Sequence, residues 1–203
     1  MNNNPSVCLV ILAGGLSRRM GTDKAVVEFG GHRLIDILIN RFVSKAGQIF
    51  LSASQDYGTG LDMIRDDPDF PGGPVGAILS VASRLRRTQP EIVGFVTVPV
   101  DAPYAPADLI ERLSANDTCA VAKDLERIHP TFAYWRCDVV DVIRETHDLG
   151  EQAPSLHWLA RQSGAETVTW SDDNLFANIN RPQDLKIAEL NKKAGAPGEH
   201  RLL

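Results

Sequence analysis

"VCLVILAGGLSRRMGTDK", residues 7–24, decides how the chain is read. Its first six residues, Val7–Leu12, are apolar without a break, as expected of a central parallel strand covered on both faces. The strand runs straight into Gly14, Gly15 and Gly21, interleaved with Arg18, Arg19 and Lys24. Adjacent glycines let a backbone turn sharply and bring its N–H groups against an anion. Arg19 adds a forked cation and Lys24 a point charge, so the string reads as a loop that holds phosphates. It is neither of the two best-known phosphate loops. G-x-x-x-x-G-K-[ST] fails because the sixth position counted from Gly15 is Met20, and from Gly14 it is Arg19. G-x-G-x-x-G fails because Gly14 and Gly15 are adjacent and Gly21 lies too far on.

Outward from this stretch, strand-like apolar runs alternate with segments of helical period. Arg33–Lys45 places Leu34, Ile35, Leu38, Ile39 and Phe42 on one helical face. Gln48–Ala53 reads as a second strand and Met63–Ile64 as part of a short third. Pro74 opens a helix through Arg87, and Ile92–Val98 is a strand ending at Pro99. Pro106–Ser114 reads as helix, Thr118–Ala122 and Thr131–Trp135 as extended, and Cys137–His147 as helix. Ser155–Gln162 is a short helix, Ala165–Trp170 a late strand, and Pro182–Lys193 a last helix. The alternation predicts a three-layer α/β/α domain with a mainly parallel sheet. Ligands of such sheets lie beyond the carboxyl ends of the strands. The loops after Leu12, Ala53, Ile64 and Val98 should therefore share one rim.

The bulk properties agree. A chain of 203 residues, 43% hydrophobic and 23% charged, suits one globular domain over 1–193 with a flexible tail at 194–203. A net charge of -5 argues against nucleic acid as a partner, though a local basic cluster still serves a small anion. No apolar run reaches the roughly 18–20 residues that span a bilayer, so no membrane partner is expected. Residues 1–6 carry no basic n-region and no separate apolar h-region, so a secretory signal is not expected. Cys8, Cys119 and Cys137 are odd in number and widely spaced, which points to a reducing cytoplasm rather than to disulfides or zinc.

Several blocks together carry a resemblance: "LAGGLSRRMGTDK" at 12–24, "GGHRL" at 30–34, "PGGPVGA" at 71–77, "VPVDAPYAPADL" at 98–109, "HPTFA" at 129–133 and "NINRPQDL" at 178–185. In order and approximate spacing, from Leu12 to about Leu190, they resemble the molybdenum cofactor guanylyltransferases. That resemblance implies a Rossmann-like nucleotidyltransferase domain. It implies transfer of GMP from GTP to the terminal phosphate of molybdopterin, with release of pyrophosphate and Mg²⁺ as cofactor. It also implies transient contact with proteins that donate the cofactor or mature molybdoenzymes.

The same resemblance distributes roles. Leu12, Ala13, Gly14 and Gly15 would contact the nucleotide through backbone, and Arg19 and Lys24 the phosphates. Asp101, just past the fourth apolar run, would hold Mg²⁺, an ion that takes one or two carboxylates plus phosphate oxygens. Its competing reading is a cap for the helix near Pro106, although it stands five residues early. Asp66 in "RDDPDF" would read the base, since guanine N–H groups need an acceptor, or else belong to an exposed acidic turn. Asn178 and Asn180 either cap the last helix or approach metal and acceptor. His129 reads as a hydrogen-bonded structural histidine. Ser52 stands where many relatives carry Asn, Gly76-Ala77 exchanges the usual small pair, and Val100 replaces a frequent Cys. Ser52 and the Gly76-Ala77 exchange bear on nucleotide choice. A cytidylyltransferase, or another small-acceptor nucleotidyltransferase, is the nearest alternative. A nucleotide-sugar glycosyltransferase would want a D-x-D where the chain has Val100-Asp101-Ala102. A regulator without turnover would have no need of both Lys24 and Asp101.

Overall fold

The computed structural model describes residues 7–14, 23–149 and 154–179. Val7–Leu12 forms β1, and its side chains alternate between two cores. Val7, Leu9 and Ile11 enter one, and Cys8 and Val10 the other. A strand apolar at every position can only be central, because both faces must be covered. After a 3₁₀ turn at Lys24–Val26 come β2 (Glu28–Phe29), β3 (His32–Arg33) and α1 (Leu34–Phe42). Then follow β4 (Ile49–Ser52), β5 (Asp62–Ile64), α2 (Pro74–Thr88), β6 (Gly94–Pro99) and α3 (Leu109–Leu113). The described chain continues through β7 (Ala120–Lys123), β8 (Ile128–Arg136), α4 (Cys137–Thr146), α5 (Leu156–Gln162) and β9 (Glu166–Thr169).

Seven strands form one sheet in the order β5-β4-β1-β6-β8-β7-β9. Only β8 runs against its neighbours, and all remaining pairs are parallel. Helices α1 and α3 pack on the face of Leu9 and Ile11, while α2, α4 and α5 pack on the face of Val10. The three layers and mainly parallel sheet are those read from the alternation. From β1 the chain winds outward to β4 and β5, then α2 carries it back across to β6 on the other side of β1. The winding thus reverses between β1 and β6, which opens a crevice at their carboxyl ends.

Local differences from the sequence reading have physical causes. The segment "FGGH" closes a two-residue hairpin between β2 and β3, with Gly30 at φ 60° and Gly31 at φ 82°. That left-handed pair suits glycine and starts α1 only at Leu34, one residue after the expected Arg33. The helix expected from Pro106 begins at Leu109, because Pro106–Asp108 forms a turn in which the Leu109 N–H donates to the Pro106 carbonyl at 3.1 Å. Asp108 holds the cap position of that helix, so the capping reading of Asp101 is set aside. Extended structure expected over Thr131–Trp135 already starts at Ile128. Gly76 answers a close approach: a Cβ there would stand 1.8 Å from the Pro71 carbonyl oxygen. The "PGGPVGA" turn is thereby packed against the first turn of α2. The three cysteines are buried and unpaired, and no described helix is long and apolar enough to cross a membrane. The expected helix at 182–193 and the tail at 194–203 lie outside the described residues.

Candidate active site

Three strand ends are tied together at the crevice. The Ala13 N–H donates to the Ser52 carbonyl at 2.9 Å, and the Val100 N–H to the Leu12 carbonyl at 3.0 Å. These bonds extend the parallel ladder of β4, β1 and β6 one step beyond its regular end, so Gly14 and Asp101 leave the sheet side by side. Leu12, Ala13, Gly14, Asp23, Lys24, Pro74, Pro99, Val100, Asp101 and Thr131 line a cleft of about 230 Å³ at this point.

Within the cleft, Lys24 Nζ lies 2.5 Å from Asp101 Oδ2, although 77 positions separate the two in the chain. The side chains are 21% and 11% exposed respectively, so the pair is largely withdrawn from water while remaining open to a ligand. Asp101 sits on the turn after β6, where the Ala102 N–H donates back to the Pro99 carbonyl. Its own carbonyl accepts the Ile179 N–H at 2.8 Å. The turn that carries the carboxylate is thus fixed by backbone bonds on both sides.

A network that sequence reasoning missed holds Lys24. Asp23 Oδ1 accepts the Ala25 N–H at 3.1 Å and caps the 3₁₀ turn that begins at Lys24. Asp23 Oδ2 accepts the Tyr57 hydroxyl at 2.6 Å. Tyr57 has φ 53°, an uncommon backbone conformation for a bulky residue. Its carbonyl takes a 2.7 Å bond from Arg33 Nη1, and Arg33 is itself held by Asp36. Burial, and then the Asp23 carboxylate, push the Tyr57 hydroxyl up to about 12, so it stays a donor to Asp23. The one local signal was Asp23 just before a short apolar turn, an N-cap pattern.

Other expected residues spread along the rim. Ser52, the last residue of β4, is buried and contributes its carbonyl to Ala13. Asp66 follows β5, exposed and outside the lining of the cleft, with its carboxyl pushed up by the surrounding protein. The loop it belongs to is anchored by Ser80, whose Oγ accepts the Asp67 N–H at 2.8 Å and donates to the Gly76 carbonyl at 2.7 Å. Asn178 is exposed beside Ile179, and Ile179 is buried against Phe29 and Leu34. Of the "NINRPQDL" block, Ile179 thus reaches the backbone of Asp101. Gly15, Arg19 and Asn180 lie outside the described residues. Asp101 is the candidate metal ligand within the cleft, and no group of three His, Cys, Asp or Glu side chains placed to hold a metal ion occurs among the described residues.

His129 is indeed hydrogen-bonded. Its Nε2 lies 2.6 Å from Asp124 Oδ2, and its ring stacks on Phe176 with centroids 4.7 Å apart. Asp124 Oδ1 accepts the N–H groups of Arg127 at 2.6 Å and Glu126 at 2.8 Å. The Arg127 N–H, then His129 and the Glu126 N–H, hold this carboxyl down at about 2. Its contribution to stability is complete above about pH 4, where the unfolded carboxyl is already ionised, and is lost as pH falls toward 2. Acid unfolding followed by circular dichroism should lose that part of its pH dependence in Asp124→Asn. An unchanged acid limb would remove Asp124 from the acid-sensitive groups.

The description "MobA-like NTP transferase domain" belongs to a family model that matches residues 9–166. A molybdenum cofactor guanylyltransferase of Cereibacter sphaeroides is 36% identical over 187 residues, covering 89% of this chain and 94% of that protein. One of Sinorhizobium fredii is 32% identical over 195 residues, covering 89% of each. Among solved structures, molybdopterin-guanine dinucleotide biosynthesis protein A of Archaeoglobus fulgidus superposes with a TM-score of 0.68 at 22% identity, covering 91% of this chain and 98% of that one. A CMP:2-keto-3-deoxy-manno-octonic acid synthetase in complex with CTP gives 0.69 at 14% identity, covering 94% and 99%. At those identities the structural likeness speaks for the fold.

Proposed function

The chain belongs to the MobA-like NTP transferase family, and from that premise we propose that it transfers GMP from GTP to the terminal phosphate of molybdopterin in a Mg²⁺-dependent reaction. The observation that carries this reading is the Lys24–Asp101 pair, a cation and a carboxylate meeting at the β1/β6 crevice. The names of the relatives at 30–36% identity support GTP and the molybdenum cofactor as the substrates.

In the reaction, an oxygen of the acceptor phosphate attacks the α-phosphorus of GTP. A new P–O bond forms, the bond from the α-phosphorus to the oxygen bridging to the β-phosphate breaks, and pyrophosphate leaves. A phosphate monoester is already largely ionised near pH 7. No side chain is therefore required as a strong base, which suits a cleft whose described lining has neither His nor Cys. The chain's task is to position and neutralise. Lys24 would stand over the triphosphate with Arg19, while Gly14 and Gly15 would allow backbone N–H groups to approach it. Leu12, Ala13, Ser52 and Asp66 lie toward β4 and β5, on the side where the nucleoside would extend, and Asn180 follows the segment behind Asp101. A single carboxylate suits Mg²⁺, which keeps waters and shares substrate phosphates, and Asp101 Oδ2 already faces a cation in Lys24. When bound there, Mg²⁺ would supply charge to the developing pyrophosphate.

The test is pyrophosphate release from GTP, CTP, ATP and UTP, each with and without molybdopterin. Release from GTP that requires molybdopterin is the expected result. Equal or preferential release from CTP would move the chain to the cytidylyl branch.

A further inference from the structure

Strand β8 departs from regular pairing beside the cleft. On its β7 side, Val121 pairs with Ala133 but the next residue, Ala122, pairs with His129, so three residues of β8 (Pro130, Thr131 and Phe132) stand opposite none. On its β6 side, pairing runs from Gly94↔Arg136 to Thr97↔Ala133 and stops, while β6 continues to Pro99. Pro99 gives the reason. Successive N–H groups of a strand point to opposite neighbours, and the Val100 N–H points to β1. The donor at position 99 would face β8, and proline has none. The ladder ends there, the sheet forks, and both prongs, Pro99 and Thr131, line the cleft. Bulges beside active sites commonly re-aim a side chain. Here the half-buried Thr131 lines the same cleft as Asp101 and Lys24. Its foot is held by the contact of His129 with Asp124.

The sheet order then divides the cleft. Leu12, Ala13, Ser52 and Asp66 lie on or just beyond β1, β4 and β5, on one side of Asp101, and β8 lies on the other. A nucleotide extended over β1 toward β5 leaves the β8 side for the second substrate. Building on the nucleotidyl-transfer reading, we infer that Thr131 is a substrate-contacting residue whose hydroxyl donates a hydrogen bond to the phosphate monoester of the acceptor. A threonine suits this place, since it supplies a directional donor to an anion without adding a second cation beside Lys24.

Pyrophosphate release measured with GTP and molybdopterin varied in turn tests this on the full chain. In Thr131→Val, nearly the same shape without the hydroxyl, the KM for molybdopterin should rise about tenfold. The KM for GTP should stay at the wild-type value, and Thr131→Ser should restore the acceptor KM. An unchanged acceptor KM in Thr131→Val, or an equal rise in both KM values, overturns the assignment. Calorimetric binding of molybdopterin reads the same contact without turnover: about tenfold weaker binding to Thr131→Val supports it, and equal binding overturns it. Failure of the wild-type protein to release pyrophosphate from any nucleotide would instead overturn the transfer reading, while the binding comparison still decides Thr131.

Discussion

Lys24→Ala is expected to lower the rate of pyrophosphate release by roughly 10²–10³, the loss typical when one preorganised donor to a developing charge is removed. The structure adds a second consequence. Lys24 Nζ lies 2.5 Å from Asp101 Oδ2, so the substitution also strips a largely buried carboxylate of its cation. Breaking a fully buried pair costs about 3–5 kcal/mol. Solvent at the mouth of the cleft reduces that here to about 1–2 kcal/mol. Lys24→Ala should therefore unfold at a lower temperature as well as turn over slowly. Comparison of single-turnover rates well below the new Tm separates the two effects. Pyrophosphate release at near-normal rate would end the role given to Lys24.

Asp101→Asn should bring a comparable loss, on the order of 10²–10³ in turnover, with a much smaller effect on folding. The amide keeps the shape of the side chain, and the bonds that fix this turn are backbone bonds, from Ile179 to the Asp101 carbonyl and from Ala102 to Pro99. What disappears is the charge that faces Lys24 and that, in the proposed reaction, would hold Mg²⁺. The Mg²⁺ concentration giving half-maximal rate should rise, and calorimetry should show weaker binding of Mg²⁺ alone. A wild-type Mg²⁺ titration in the variant would remove Asp101 as the ligand.

The strands and helices were legible because burial writes a period into the sequence. β1 is apolar throughout and central, and α1 carries Leu34, Ile35, Leu38 and Phe42 on the face it buries. Lys24 and Asp101 were legible as residue types in a recognisable order. The pairing of Asp23 with Tyr57 was not, because a tyrosine in the left-handed region, 34 positions from its partner, leaves no local signature. The displacement of Asp66 from the cleft was hidden too, since it depends on β5 lying three strands from β6.

By itself, then, the sequence determined the layers and the mainly parallel sheet, because both follow from side-chain type and spacing along continuous segments. Tertiary structure alone decided that Lys24 and Asp101 share one charge pair, that Asp23 is held by Tyr57, and that β6 and β8 part to present Thr131. Those outcomes rest on which strand lies beside which. Pro99 shows the division most simply. The sequence states that it lacks an N–H, and only the sheet order states which neighbour goes without the bond.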